Sequence, residues 1–265
     1  MAIRFCENPR SIRKYRLGKL LGKGSYGVVL AATHEDTEEI YALKLIRVSR
    51  NDEENARKEV SRMEMLKHEN IVQCKGWWFE KTSSGYQQYA ASSFVLDEMD
   101  LDEDEKDKMR EDIDAVLSRG TVHKLLYIKM ELCSFGTLQE RLSNNTERPI
   151  VQMIELFMQL TSAIEYLHSK KIIHRDLKPR NIVFASPDHL KVCDFGISTE
   201  IQEKGGEEVS MTRTAIGTPS YWAPEQAITL FAIRRRYASA VDIFSLGCIL
   251  IEMFIYIEDK DKQMV

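Results

Sequence analysis

The sequence predicts an α+β fold in two parts, a sheet-rich part of about residues 1–132 and a helical part of about residues 137–265. In the first half, apolar and polar residues alternate and β-branched side chains are common, as in β-strands. The second half has the apolar spacing of buried helices. Residues 133–136 separate the two patterns, and 265 residues suit one domain built from two lobes.

The elements follow in a clear order. Residues 15–46 are predicted to form strands around a glycine-rich turn, and residues 52–67 form a helix with Val60, Met63 and Leu66 on one face. Two more strands are expected at residues 71–80 and 125–131.

The second half is mostly helical. A long buried helix is predicted at residues 150–169 and another at 241–257, with short strands at 172–173, 181–184 and 190–192 between them. Residues 199–216, which are rich in glycine and charge, are expected to form a loop.

Residues 81–120 are polar and poorly periodic, and we interpret them as a long, disordered insertion between strands. Within them, residues 97–114 carry eleven acids and three bases, a net charge of −8. The whole chain has a net charge of −4, so the remainder sums to +4. That mildly basic body suits an anionic ligand, although a charge run of this kind is also typical of a solvated segment.

Composition excludes several classes of protein. The five cysteines have no paired spacing, which argues against a zinc site and a disulfide framework and favours a reducing compartment. The first residues contain no apolar core of signal-peptide length, and the apolar stretch 246–257 is too short to span a bilayer. We therefore expect a cytoplasmic protein with no membrane segment and no direct nucleic-acid binding in this chain.

Four short patterns carry chemistry. The first, Gly22-x-Gly24-x-x-Gly27-x-Val29, lies between two predicted strands, where backbone N–H groups can meet phosphate oxygens. By itself it is also compatible with an ordinary hairpin turn. The second places Lys44 in an apolar strand, where a buried ammonium needs a partner such as Glu59 of the following helix; a lysine that reaches solvent from an edge strand is the alternative.

The third pattern is HRDLKPRN at residues 174–181, which presents an acid, a base and an amide in eight residues. Asp176 can accept a proton from, or orient, an incoming hydroxyl, and Lys178 can stabilise charge on a transferred phosphoryl group. Asn181 offers an oxygen ligand of the kind that Mg²⁺ prefers. The fourth, DFG beginning at Asp194, lies eighteen residues after Asp176, and Asp194 supplies a second magnesium ligand.

Together these patterns resemble the protein kinase superfamily over residues 15–257, which implies the bilobal kinase fold with ATP and Mg²⁺ as cofactors. Lys178 matches the serine/threonine branch, and Asp242 matches a buried aspartate that braces the catalytic loop. The resemblance implies one cleft in which Lys44, Asp176, Asn181 and Asp194 converge. It implies ATP contacts from Leu21, Gly22, Lys23, Gly24, Ser25, Tyr26, Gly27, Val28, Val29, Ala42, Lys44, Glu59, Met130, Glu131, Cys133 and Val183.

Longer stretches narrow the resemblance to the kinases of the alpha subunit of eukaryotic translation initiation factor two. These are residues 78–80 before the acidic insertion, 126–142, 168–184 and 224–226. The resemblance implies repression of translation under stress and a homodimer through the N-lobe. In the loop after Asp194 it implies phosphorylation at Thr214, with Thr212 second, and a phosphate there would meet Arg175.

The chain ends soon after its last predicted helix, so we expect an incomplete C-lobe, exposed apolar residues at 243–257 and low activity of residues 1–265 alone. Two alternatives therefore stay open. One is a kinase-like scaffold or inactive short form, and the other is a serine/threonine kinase with a different protein substrate.

Overall fold

The computed structural model describes residues 12–24, 27–50, 52–81, 106–107, 111, 124–144, 147–194, 199–200, 202–204, 207–212, 219–228, 235–237 and 239–255. The chain divides into two compact units. The first contains Met1–Leu66 and Gln73–Leu132, and the second contains Lys67–Val72 and Cys133–Val265.

The first unit is built on a five-stranded antiparallel sheet with the strand order β1-β2-β3-β5-β4. Its strands are β1 (Tyr15–Gly24), β2 (Gly27–His34), β3 (Ile40–Val48), β4 (Cys74–Lys81) and β5 (Lys124–Glu131). Successive side chains of a strand point to opposite faces, so the sheet has two faces of different character.

One face of the sheet is an apolar core. Three aromatic rings stack there: the ring centroids of Tyr15 and Trp78 are 5.6 Å apart, and those of Trp78 and Tyr127 are 5.1 Å apart. The other buried members of this core are Val28, Leu30, Ala32, Leu43, Leu45 and Leu125. Pairing in register across the antiparallel strands brings these side chains together on one side.

The first unit also contains helix α1 (Glu53–Met65). Val60 and Met63 are buried, as their spacing predicts. Two glutamates in the first turn stabilise the helix because they lie at the positive end of its dipole. The helix contacts strand β4, which follows it in the sequence.

The second unit is mainly helical. Its helices are α2 (Leu138–Asn144), α3 (Ile150–Ser169), α4 (Pro224–Ile228) and α5 (Ala240–Phe254). Its strands are β6 (Ile172–Ile173), β7 (Ile182–Ser186), β8 (His189–Val192), β9 (Thr199–Glu200), β10 (Gln202–Lys204), β11 (Glu207–Thr212) and β12 (Arg235–Tyr237). Helix α3 has the predicted bounds, and α3 contacts both α5 and β8.

One expectation for the second unit is wrong. The segment predicted as a loop at residues 199–216 contains strands β9, β10 and β11, and β11 pairs antiparallel with β10 and β12. Glycine and charged residues are uncommon in strands, so the composition of this segment favoured a loop, whereas pairing with neighbouring strands overrides such preferences.

Five apolar side chains of α5 and the residue after it are more than a third exposed, as the sequence led us to expect. They are Ile243, Phe244, Ile251, Phe254 and Ile255. The predicted insertion at residues 81–120 lies outside the described residues, apart from Lys81 at the end of β4 and the helical residues 106, 107 and 111. Within the described part of the chain, none of the helices is both long and apolar enough to cross a bilayer.

Candidate active site

The predicted catalytic loop, residues 174–181, lies in the second unit between strands β6 and β7. Its backbone is held by Asp242, whose side chain is completely buried on α5. The carboxylate accepts a 2.9 Å hydrogen bond from the N–H of His174 and a 2.8 Å bond from the N–H of Arg175. The prediction that Asp242 braces this loop is therefore confirmed.

His168, which the sequence reading did not select, is a third group on the same carboxylate. Its Nε2 lies 2.8 Å from Oδ2 of Asp242, and it occupies the last turn of helix α3. The available signal was spacing, because His168 follows the buried residues Leu160 and Ile164 at intervals of four and so lies on the buried face of the helix. His168 thus connects α3, α5 and the loop through one buried aspartate.

Two predicted functional side chains, those of Lys178 and Asn181, contact the carboxylate of Asp176. The Nζ of Lys178 lies 2.7 Å from Oδ2 of Asp176, and Nδ2 of Asn181 lies 3.1 Å from the same oxygen. Asn181 also donates a 2.8 Å bond to the backbone oxygen of Asp176. An acid, a cation and an amide therefore share one small, partly buried site.

Asp194 is tied to this loop through the residue before it. The N–H of Cys193 donates to the backbone oxygen of Asn181 at 2.9 Å, and Nε2 of His174 lies 3.0 Å from the backbone oxygen of Cys193. Asp194 has a φ of +65°, a left-handed conformation that costs roughly 1–2 kcal/mol for a residue with a side chain. The role of Asp194 as a magnesium ligand stays a prediction.

The second unit offers oxygen ligands that fit Mg²⁺. The side-chain nitrogen of Asn181 donates hydrogen bonds to Asp176, so its amide oxygen is the candidate cation ligand, and Asp194 offers a carboxylate. Among the described residues there is no cluster of three histidine, cysteine, aspartate or glutamate residues that could hold a metal alone. Mg²⁺ commonly binds one or two protein ligands and completes its shell with water and phosphate oxygens, and two such residues are what the sequence predicts here.

In the first unit, the strand register places four predicted ATP contacts on one face of the sheet. Lys44 pairs with Val29 on one side and with Ile128 on the other. Ala42 precedes Lys44 by two residues and pairs with Met130. Directly paired and alternate residues share a face, so Val29, Ala42, Lys44 and Met130 lie on the face opposite the aromatic core.

Helix α1 carries the predicted partner of Lys44. The Lys44 residue is buried, being 8% exposed, and Glu59 of α1 is partly buried. Glu64 of the same helix is exposed and accepts a 3.2 Å bond from Nε1 of Trp77. The pairing of Glu59 with Lys44 stays a prediction.

The glycine-rich turn is described in part, since Ser25 and Tyr26 lie outside the described residues. A Cβ atom on Gly27 would lie 2.0 Å from the backbone oxygen of Leu45, so this glycine is required by the packing of β2 against β3. Gly22 has open space at the same position. Val28 lies fully buried in the aromatic core on the opposite face, so its side chain is separated from the other predicted contacts and only its backbone remains a candidate.

The remaining predicted ATP contacts are divided between the two units, and several lie at the exposed end of β1. Glu131 accepts a 2.7 Å bond from the N–H of Gln73, so its carboxylate supports the sheet. Cys133 and Val183, both in the second unit, are partly exposed. The other described members of this set are Leu21, Lys23 and Gly24.

The sequence matches the family described as "Protein kinase domain" over residues 15–261. The chain belongs to this family. This confirms the α+β kinase fold predicted from the sequence, and kinases of the family generally use ATP and Mg²⁺.

The kinase domain is also similar to named relatives. It is 34% identical to the interferon-induced, double-stranded RNA-activated protein kinase of Rattus norvegicus over 88% of this chain and 39% of the relative. The protein of the same name from Mus musculus is also 34% identical, over 88% of this chain and 38% of the relative. The serine/threonine-protein kinase Nek4 of Mus musculus is 30% identical over 89% of this chain and 24% of the relative. The kinase domain thus spans about two fifths of the length of the first relatives.

A second buried polar pair in the kinase domain was not selected from the sequence. The hydroxyl of Tyr221 donates to Glu252 of α5, and Ser245 donates a 2.8 Å bond to the backbone oxygen of Tyr221. Burial, and then the bond to Glu252, raises the pKa of Tyr221 well above its ordinary value. The available signal was Glu252, an acidic residue within the apolar helix α5, because a buried carboxylate requires a hydrogen-bond partner.

The predicted phosphorylation sites of the kinase domain remain predictions. Thr212 ends strand β11 and pairs in register with Arg235 of β12. Thr214 lies outside the described residues. Arg175, the residue expected to meet the phosphate, is buried in the catalytic loop.

Proposed function

We propose that this kinase domain transfers the γ-phosphoryl group of ATP to a serine or threonine hydroxyl, and that its substrate is the alpha subunit of eukaryotic translation initiation factor two. The observation that carries the reaction is the meeting of Asp176, Lys178 and Asn181 at one carboxylate oxygen. The substrate follows from the resemblance of several longer stretches of the sequence to kinases of that factor. The family of kinases that phosphorylate this factor includes enzymes that respond to double-stranded RNA, so the similarity to two kinases with that name supports this substrate.

Asp176 acts on the hydroxyl of the substrate. Its carboxylate orients the hydroxyl and accepts the proton as the oxygen attacks, a role that contributes about 10²- to 10⁴-fold to the rate. The bond from Asn181 and the backbone bonds to Asp242 keep the carboxylate in place before the substrate arrives. No energy is then needed to organise the site during the reaction.

Lys178 supplies positive charge beside the same carboxylate. Its ammonium is partly buried and 2.7 Å from Asp176, so its charge lies where it can stabilise the negative charge that develops on the transferred group. A lysine suits this place because its charge is compact and its side chain is mobile enough to contact both groups.

The proposal assigns residues of both units to one nucleotide. Lys44 binds phosphate oxygens and Glu59 orients Lys44, while Asn181 and Asp194 hold magnesium. When bound, ATP supplies the phosphoryl group and magnesium neutralises part of the charge on its phosphates. The two units together form one protein kinase domain in this proposal.

A serine/threonine kinase with another substrate is the second candidate. The observation in its favour is that Nek4 and the human mitogen-activated protein kinase kinase kinase 4 are 30% and 29% identical to this domain. Those values are close to the 34% of the first relatives. The catalytic assignments are the same for both candidates, and only the substrate differs.

The test is phosphorylation of the purified alpha subunit by the domain with ATP and Mg²⁺, followed by identification of the modified residue. We expect phosphoserine or phosphothreonine, and loss of the product with Lys44→Arg. A generic acceptor such as myelin basic protein serves as the second substrate. If only myelin basic protein is phosphorylated, the proposed substrate is wrong and the proposed reaction stands. If Lys44→Arg incorporates as much phosphate as the wild type, the proposed site is wrong.

We also propose two regulatory features on the basis of the family resemblance, phosphorylation of Thr214 or Thr212 and a homodimer through the N-lobe. The cysteine pattern supports a cytoplasmic location. Phosphopeptide mapping of active protein tests the first, since an unmodified loop in active protein would remove it. Sedimentation of the domain across a range of concentrations tests the second.

A further inference from the structure

The N-terminal half of helix α1 is fixed to the sheet by four side chains of the first unit, which we name the α1 clasp: Glu53, Arg57, Phe79 and Lys124. Oε1 of Glu53 accepts a 2.7 Å bond from Nζ of Lys124 and a 3.0 Å bond from Nη2 of Arg57. The side chains of Glu53 and Lys124 are only 22% and 18% exposed. These two bonds, that from Lys124 foremost, lower the pKa of Glu53.

The cations of the clasp also contact an aromatic ring. The guanidinium carbon of Arg57 lies 4.6 Å from the ring centroid of Phe79, and the Nζ of Lys124 lies 5.8 Å from it. Cations at these distances are attracted to the ring face. Trp77 on the same strand donates to Glu64 near the other end of the helix, so α1 is attached to β4 at both ends.

The apolar packing of α1 is small. Its buried residues are Val60 and Met63, and Asp52, the residue before the helix, makes no capping hydrogen bond with its side chain. Apolar packing is the main source of helix stability in most proteins, so a helix with two buried residues depends more on its polar contacts. The clasp lies at the uncapped end.

The clasp is connected to the proposed nucleotide site by the sheet register. Trp77 pairs with Ile128, and Ile128 pairs with Lys44, so Lys44 lies on the same face as Trp77 and Phe79. Helix α1 contacts β4 on that face through Arg57 and Phe79, and Glu59 belongs to the same rigid helix but points to another side of it than Arg57. The position of α1 therefore determines where Glu59 is presented.

We infer that Glu53, Arg57 and Lys124 are positioning residues for the phosphotransfer reaction. They hold α1 against the sheet so that Glu59 is available to orient Lys44. The inference rests on the proposed function only in the role given to Glu59 and Lys44; the attachment of α1 rests on the contacts themselves. Loss of the clasp lowers the fraction of molecules with Glu59 in place, and the apparent affinity for ATP falls with that fraction.

The first experiment measures hydrogen exchange of the α1 amides in the whole chain. Arg57→Met keeps the length of the side chain and removes its charge, whereas Arg57→Lys keeps the charge. The control is Arg16→Met, which removes an ion pair with Glu38 from an exposed surface of the same unit. We expect Arg57→Met to speed α1 exchange about five- to thirtyfold, the factor that corresponds to 1–2 kcal/mol. Arg57→Lys should restore part of the protection, and Arg16→Met should leave α1 unchanged.

The second experiment measures the Kd for Mg²⁺–ATP by competition with a fluorescent nucleotide. Arg57→Met should raise this Kd about threefold or more. Because the clasp acts through Glu59, Arg57→Met should add little in the Glu59→Gln background. A residue with a merely structural role would weaken binding equally in both backgrounds.

Each result decides a separate point. If α1 exchange in Arg57→Met equals that in Arg16→Met, the clasp does not hold the helix and the inference is wrong. If exchange rises while the Kd stays constant, or if the two substitutions add fully, the clasp does not position Glu59 and the inference is again wrong. If Lys44→Met leaves the Kd of the wild-type background unchanged, the proposed nucleotide site fails, whatever the exchange data show for the clasp.

Discussion

Replacement of Asp242 by asparagine should strongly destabilise the domain. The aspartate is completely buried and accepts bonds from two backbone N–H groups of the catalytic loop and from His168. Asparagine has nearly the same shape, but one of its two terminal atoms is a donor. Whichever way the amide is turned, at least one backbone N–H of the loop then faces an NH₂ group instead of an oxygen.

The cost can be worked from these contacts. In the better orientation, the amide oxygen keeps the bond from Arg175 and the amide nitrogen donates to a neutral His168. The N–H of His174 then loses its acceptor in a buried site. A bond to a charged group contributes about 1.5–3 kcal/mol, and a buried group left unsatisfied costs about 1–3 kcal/mol, so we expect a loss of about 2.5–6 kcal/mol of unfolding free energy.

Urea unfolding of the wild type and of Asp242→Asn measures this loss. We expect a lower midpoint urea concentration for the variant and the same dependence of unfolding free energy on urea concentration for both proteins. The matched control is Asp188→Asn, because Asp188 is exposed and accepts one 2.7 Å bond from Gln152. Such surface changes usually stay within about 0.5 kcal/mol. Equal midpoints for the two variants would show that the buried carboxylate does not hold the loop.

Three further predictions concern single positions. Asp176→Asn should lower kcat about 10²- to 10⁴-fold in a steady-state phosphotransfer assay and leave the Kd for ATP unchanged, and an unaltered kcat would remove its role. Gly27→Ala should lose about 1–3 kcal/mol in urea unfolding because its new carbon meets backbone, whereas Gly22→Ala should lose none from steric contact; equal losses would contradict the packing argument. Because the folded state raises the pKa of Tyr221, its contribution to stability is present below about pH 10 and is lost as the pH rises further. Tyr221→Phe should therefore flatten the alkaline decline of unfolding free energy, and identical pH profiles would refute this.

The sequence predicted most elements because their signals are local. Alternation identified β1 to β5, and apolar spacing identified α1 and α3 almost to the residue. The catalytic loop was also predictable, since Asp176, Lys178 and Asn181 lie within six residues of one another and can meet in a single turn.

The missing parts depend on contacts between distant residues. His168 and Asp242 are 74 residues apart, and Tyr221 and Glu252 are 31 residues apart. Periodic spacing of residues along the chain does not indicate which distant residues are in contact. The burial of Val28 was missed for another reason: the glycine-rich pattern includes both faces of a strand, whereas register decides which face holds the core.

The stacked rings of the first unit have an optical consequence. Of the three tryptophans in the chain, Trp77 and Trp78 belong to the first unit and Trp222 to the second. Coupled transitions in the stack of Tyr15, Trp78 and Tyr127 should give a near-ultraviolet dichroism band that disappears when this unit melts. With Trp222→Phe, indole fluorescence would come from the first unit alone. The protein therefore contains its own spectroscopic label for following the melting of one unit separately from the other.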